Sequence, residues 1–96
     1  MIPRHQSIQE KFELFNAENP WVYDKLVSLA RQGVAAGKKR LGMKSLFEVL
    51  RWDHMIETSG EDFKLNNNYH SRYARLIIDR EDDLADVFEI RELKAA

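Results

Sequence analysis

Apolar residues recur at helical spacing along most of the chain, and only Phe63-Lys64-Leu65 reads as a short extended piece. Ile8, Phe12 and Phe15 share one face of a first helix predicted from Ser7 to Asn16, with Leu14 near its edge. Ser7 and Glu10 have capping-box spacing, so each can satisfy a backbone N–H that the first helical turn leaves unpaired. Asn19-Pro20 then stops one helix and starts another, because asparagine caps well and proline suits the first helical turn. Trp21, Val22, Leu26, Leu29 and Ala30 line that second helix, which Gly33 weakens and Gly37 ends. Gly42 marks the turn into the strongest helix, Met43 to Glu57. Its stripe of Met43, Leu46, Phe47 and Leu50 falls at i, i+3, i+4 and i+7, and Val49, Trp52 and Ile56 widen it. So broad an apolar arc predicts a central position.

Thr58-Ser59-Gly60 breaks that helix. One residue of Asn66-Asn67-Asn68 is expected to cap a fourth helix, with Tyr69, Tyr73, Leu76 and Ile77 inward and His70, Ser71, Arg72, Arg75 and Asp79 outward. Arg80 to Asp83 is a polar link, and Leu84 to Phe88 is predicted as a short last helix with Leu84, Val87 and Phe88 inward. Residues 1–6 and 91–96 are expected to fray. The predicted fold is all-α, a compact orthogonal bundle of about five helices forming one domain over residues 1–96. Its third and fourth helices form a helix-turn-helix-like pair, although a compact motif of that kind uses a turn of roughly three or four residues. Thr58 to Asn67 is longer.

Composition sharpens this reading mainly by exclusion. The 96 residues include two Trp, three Tyr and five Phe, enough aromatic surface for a packed core rather than a disordered chain. A core of this size is thin, and homodimerisation would enlarge it. With no cysteine there is no disulfide framework, thiolate zinc site or cysteine nucleophile. No apolar run approaches the roughly 20 residues of a membrane span, and no signal-peptide pattern follows Met1, so a cytoplasmic location is expected.

The formal net charge of −1 conceals an uneven layout. Between Arg31 and Arg51, Arg31, Lys38, Lys39, Arg40, Lys44 and Arg51 face the single acid Glu48. From Leu76 onward, Arg80, Arg91 and Lys94 are outweighed by Asp79, Glu81, Asp82, Asp83, Asp86, Glu89 and Glu92. Such asymmetry lets one face attract an anion while the whole stays near neutral. It also admits a protein-binding module that uses the basic and acidic segments as contact patches.

The segment from Asn67 to Arg75 has the layout of a recognition helix: an apolar face to dock on its own domain and a polar face for a groove. Asn67 and Asn68 could bond adenine, Arg72 and Arg75 could take guanine or phosphate, and His70 and Ser71 could reach phosphate oxygens. Lys38, Lys39, Arg40 and Lys44 would then contact the DNA backbone. A simpler account makes the asparagines caps, the tyrosines core and the arginines a solvated face. The Lys38-Lys39-Arg40 run could equally serve the negative end of the preceding helix.

Catalytic arrangements are weak. Asp53, His54 and Glu57 lie within one helical turn, but His5 and His70 have no spacing that would complete a metal site. Asp62-Phe63-Lys64 after Asp53 has the acid-and-lysine order of a metal-dependent nuclease, without the strands that hold such carboxylates. Neither a nucleophile elbow nor a glycine-rich phosphate loop is present. Trp21, Tyr23, Trp52 and Phe63 suit a core better than a peptide groove. No enzyme activity, metal or cofactor is expected.

Phe15-Asn16-Ala17-Glu18-Asn19-Pro20, Leu46-Phe47-Glu48-Val49-Leu50-Arg51-Trp52, Phe63-Lys64-Leu65-Asn66-Asn67-Asn68-Tyr69 and Ser71-Arg72-Tyr73-Ala74-Arg75 resemble segments of a group of small uncharacterised bacterial and phage proteins. The likeness spans about Phe12 to Arg91. It carries no activity or functional residues, and implies a phage, prophage or mobile-element context. Proteins from such contexts often bind DNA or bind host proteins. The expected function is therefore a small DNA-binding accessory or regulatory domain, the alternative being a module that binds a host or phage protein without nucleic-acid contact.

Overall fold

Capping and glycine placement set the helix boundaries in the computed structural model, which describes residues 7–61 and 63–88. The expected fraying of residues 1–6 and 91–96 lies outside the described residues. Helix α1 (Ile8–Glu18) opens on the predicted capping box: Ser7 Oγ accepts from the Glu10 N–H at 3.1 Å, and Glu10 Oε1 accepts from the Ser7 N–H. Helix α2 (Pro20–Ala35) begins at Pro20 as expected. Asn19, however, does not cap it with its side chain; Asn19 Nδ2 donates back to the Phe15 carbonyl at 3.1 Å, closing α1 instead. Gly33 lies inside α2, where an added methyl would meet the Leu41 side chain at 2.9 Å. The helix stops in a left-handed Gly37 (φ 102°), with the Lys38 N–H on the Gly33 carbonyl and the Gly37 N–H on that of Val34.

Helix α3 (Met43–Glu57) ends by the same pattern with Ser59 in the left-handed position (φ 60°), its N–H on the Ile56 carbonyl and the Gly60 N–H on that of Met55. Helix α4 (His70–Arg80) follows a single 3-10 turn, Asn67–Tyr69. Asn66 is the asparagine that caps: its Oδ1 accepts from the Asn68 N–H at 2.9 Å. The link between α3 and this turn, residues 58–66, is too long for a compact helix-turn-helix.

The expectation of five helices is corrected to four among the described residues. In place of a helix from Leu84 to Phe88, a 3-10 turn at Asp82–Leu84 leads into an irregular segment. Five residues are too few to repay helix nucleation, and here the Leu41 N–H donates to the Val87 carbonyl at 2.9 Å beside an isolated parallel bridge between Leu41 and Phe88. Leu84, Val87 and Phe88 are nonetheless buried, as their pattern predicted.

Burial of the predicted stripes holds the bundle together. Helix α2 supplies Val22, Leu26, Leu29 and Ala30, α3 supplies Met43, Leu46, Phe47 and Leu50, and α4 supplies Tyr73, Ala74 and Ile77. Each such large side chain contributes roughly 1.5–3 kcal/mol by leaving water. From α1, Phe12 inserts edge-on against Tyr69 and Tyr73, with centroids 5.5 and 4.8 Å away. One expectation fails on α3. Val49, Trp52 and Ile56 do not widen the core; they are exposed on the opposite side of the helix.

Candidate nucleic-acid interface

Position along α4 decides which predicted contact residues face solvent. Because Tyr73, Ala74 and Ile77 are buried, the helical period turns Ser71, Arg72, Arg75 and Asp79 to the other side. Arg75 is exposed, whereas Ser71 and Arg72 are half-buried. Arg72 is held from α1, its Nε donating to Gln9 Oε1 at 3.0 Å. Two open grooves meet at Arg72. One is lined by Ile8, Asn67, Asn68, His70 and Ser71, and the other by Gln9, Phe12, Arg75, Leu76 and Asp79. The sequence has no acid from Asn66 to Ile78, so this end of α4 adds only cations to its own positive helix terminus.

Two predicted contact residues have other roles. Asn67 accepts through Oδ1 from Arg51 Nη2 at 2.6 Å, and the same Nη2 donates to the Leu65 carbonyl. Arg51 thereby ties α3 to the start of α4, and Asn67 is part of that tie. His70 does not lie on the outer face. Its ring meets Phe47 edge-on with centroids 4.3 Å apart, and Nε2 is buried without a hydrogen-bond partner. Burial lowers its pKa below the ordinary 6.5, and the cations of Arg51 and Lys44 lower it further, against an opposing pull from Glu48.

Lys44 is exposed in the first turn of α3. Lys38, Lys39 and Arg40 are exposed in the loop between α2 and α3, but Leu41 anchors this loop on Val87 and Phe88. The basic cluster is therefore divided: Lys44 belongs to α3, and the other three stand on the loop anchored to the chain that follows α4. Arg31 leaves the set of available cations altogether. It donates through Nε and Nη2 to Asp83 at 3.0 and 3.1 Å and through Nη2 to Glu81 at 2.8 Å.

A concavity of about 690 Å³ lies beside this ion-pair network and is lined by Tyr23, Asp24, Arg31 and Glu81. Tyr23 donates to Glu81 at 2.7 Å, and burial together with that bond raises its pKa. Arg31 and Glu81 satisfy one another there, which makes the cleft a strut between α2 and the chain after α4. Of the residues considered for a metal, Asp53 pairs with Lys25 at 3.0 Å and His54 stacks on Trp21.

Gln9, which helps to position the candidate face, carries no signal in the sequence, and Arg51 reads there only as one cation of the basic segment. Gln9 lies 63 residues from Arg72, and no local pattern announces the pairing. Arg51 sits beside the apolar stripe of α3, where an arginine ordinarily marks a solvated edge.

No family model matches the chain, and neither a curated protein nor a solved structure matches it. Among the described residues, no helix is long and apolar enough to cross a membrane.

Proposed function

We propose that this chain is a small DNA-binding accessory or regulatory domain that contacts its ligand through the outer face of α4. The observation that supports this reading is the alignment of Asn68, Ser71, Arg72 and Arg75 along two grooves that meet at Arg72. Arg72 and Arg75 take phosphate oxygens or a guanine edge, Ser71 takes a phosphate and Asn68 an adenine. Helix α3 acts as the supporting helix, without the tight turn of a compact helix-turn-helix. Asn67 serves the ligand only by fixing the start of α4, and His70 only through the core beneath it. Lys38, Lys39 and Arg40 add a second, separate backbone contact. A phage or mobile-element setting suits a domain of this kind.

The alternative, a protein-binding module built on the basic and acidic segments, is weakened by the ion pairs of Arg31 with Glu81 and Asp83. Those segments partly complement each other within one molecule.

Fluorescence anisotropy with a mixed pool of labelled duplexes, at low and near-physiological salt, tests the proposal. Binding should weaken steeply with salt, and Arg72→Ala with Arg75→Ala should reduce the log–log salt slope by about 2 if both arginines sit on phosphates. Unchanged affinity in that double variant removes α4 from the interface. No binding even at low salt gives the lead to the protein-binding reading.

A further inference from the structure

Helix α3 is apolar on two opposite sides. Its inner stripe is buried, yet Val49, Trp52 and Ile56 are 42, 62 and 60% exposed. With Ser45 they follow the 4-3-4 spacing of a helix-packing seam, so the four residues form one ridge along the helix. A ridge this apolar on so small a domain marks a contact surface. We propose that it packs antiparallel against the same ridge of a second copy of this chain, about a two-fold axis passing between Val49 and Trp52. This inference does not rest on the DNA-binding reading.

Shape selects that partner. An antiparallel pairing sets Ser45 opposite the partner's Ile56 and Val49 opposite the partner's Trp52, so a small side chain meets a large one along the whole seam. A parallel pairing would set Trp52 against the partner's Trp52 and leave the serines facing one another. Along one edge of the ridge run Lys44, Glu48, Arg51 and Met55. Arg51 is committed to the Leu65 carbonyl and Asn67 of its own chain, so the seam selects its partner by the alternation of small and large side chains rather than by charge. On the other edge Asp53 is neutralised by Lys25 of its own chain. A groove lined by Arg51, Met55 and Phe63 lies beside Trp52 and gives the incoming ridge room to settle. A single pair of helices, each about 22 Å long, covers less than the roughly 800 Å² per partner of a standard stable interface. The dimer is accordingly weak and concentration-dependent.

Sedimentation velocity from low micromolar to millimolar protein reads the association directly. The chain should pass from monomer to dimer across that range, and Trp52→Glu should weaken association at least about tenfold with unchanged helical circular dichroism. Because the chain has no cysteine, introduced thiols report orientation cleanly. Ser45→Cys mixed with Ile56→Cys should oxidise to a covalent pair, whereas neither variant should link to itself. A monomer at every concentration, a Trp52→Glu dimer of undiminished affinity, or self-linking of Ser45→Cys would each overturn the proposal.

Discussion

Helices α3 and α4 bury stripes of similar spacing against one another but offer opposite surfaces to water. The outer side of α3 is apolar, with Val49, Trp52 and Ile56 exposed, whereas the outer side of α4 carries Ser71, Arg72, Arg75 and Asp79. For α4, apolar and buried nearly coincide, so periodicity locates its core face. For α3, the two properties separate. An exposed apolar ridge adds nothing to the stability of the monomer, and its presence points to contact with another molecule.

The largest expected effect tests that separation. Phe47 is fully buried between Tyr73 and His70, so Phe47→Ala should cost about 3–5 kcal/mol, a large part of the stability of a domain this small. Trp52→Ala, only five residues along the same helix, should change monomer stability by no more than about 0.5 kcal/mol. Urea unfolding of both variants at low micromolar concentration measures the contrast. A Trp52→Ala loss close to that of Phe47→Ala would show the ridge to be core and abolish the distinction between the two faces.

Arg51 joins the two helices at the edge of their contact, and its replacement should have the next largest effect. Arg51→Met removes the guanidinium that lies over the Phe47 ring and donates to the Leu65 carbonyl and Asn67. The expected cost is about 1–3 kcal/mol, because a charged donor is lost and two acceptors are left with water alone. If stability is unchanged while affinity for duplex DNA falls, Arg51 belongs to the interface and not to the scaffold.

Much of this arrangement was legible in the sequence. The capping box, the Pro20 start, the Gly37 stop and the inward stripes of α2, α3 and α4 follow from spacing and backbone chemistry alone, except that Trp21, expected on the α2 stripe, is exposed. The ridge was misassigned because Val49, Trp52 and Ile56 obey the same period as the core, and a period cannot say which of two apolar arcs faces inward. His70 was misassigned for the converse reason. It completes the i, i+3, i+4, i+7 stripe with Tyr73, Ala74 and Ile77, but its polarity favoured the outer face. The ties from Arg31 to Glu81 and Asp83 span 50 and 52 residues, and nothing local encodes them. The basic segment therefore looked more available than it is.

On the inner side of α4, Tyr73 offers a smaller test of how completely that face is core. It is 0% exposed, and its hydroxyl has no hydrogen-bond partner, so the O–H is desolvated without compensation. Tyr73→Phe keeps the ring contacts with Phe12 and Phe47 and should raise stability by about 1 kcal/mol. A destabilisation of similar size in thermal melts would mean that the hydroxyl is satisfied.

The smallest effect comes from the histidine at the seam. Burial, followed by the Arg51 and Lys44 cations, lowers the His70 pKa in the folded chain, while the unfolded chain keeps the ordinary value of 6.5. Just below pH 6.5 the unfolded state therefore binds more protons than the folded state, and stability falls as pH falls through that window. Above it both states hold a neutral ring and the contribution vanishes. Asp83, whose carboxyl is held below its ordinary 3.8 first by the Arg31 hydrogen bond, loses its contribution only in more acidic solution, so the two windows do not overlap. His70→Gln cannot titrate. The stability of wild type relative to this variant should decline between pH 7 and pH 5, read by urea midpoints at each pH. A flat difference would mean that the ring reaches water, and an opposite slope would mean that an acid faces it; either result would place His70 with the outward face of α4 rather than with the core it shares with α3.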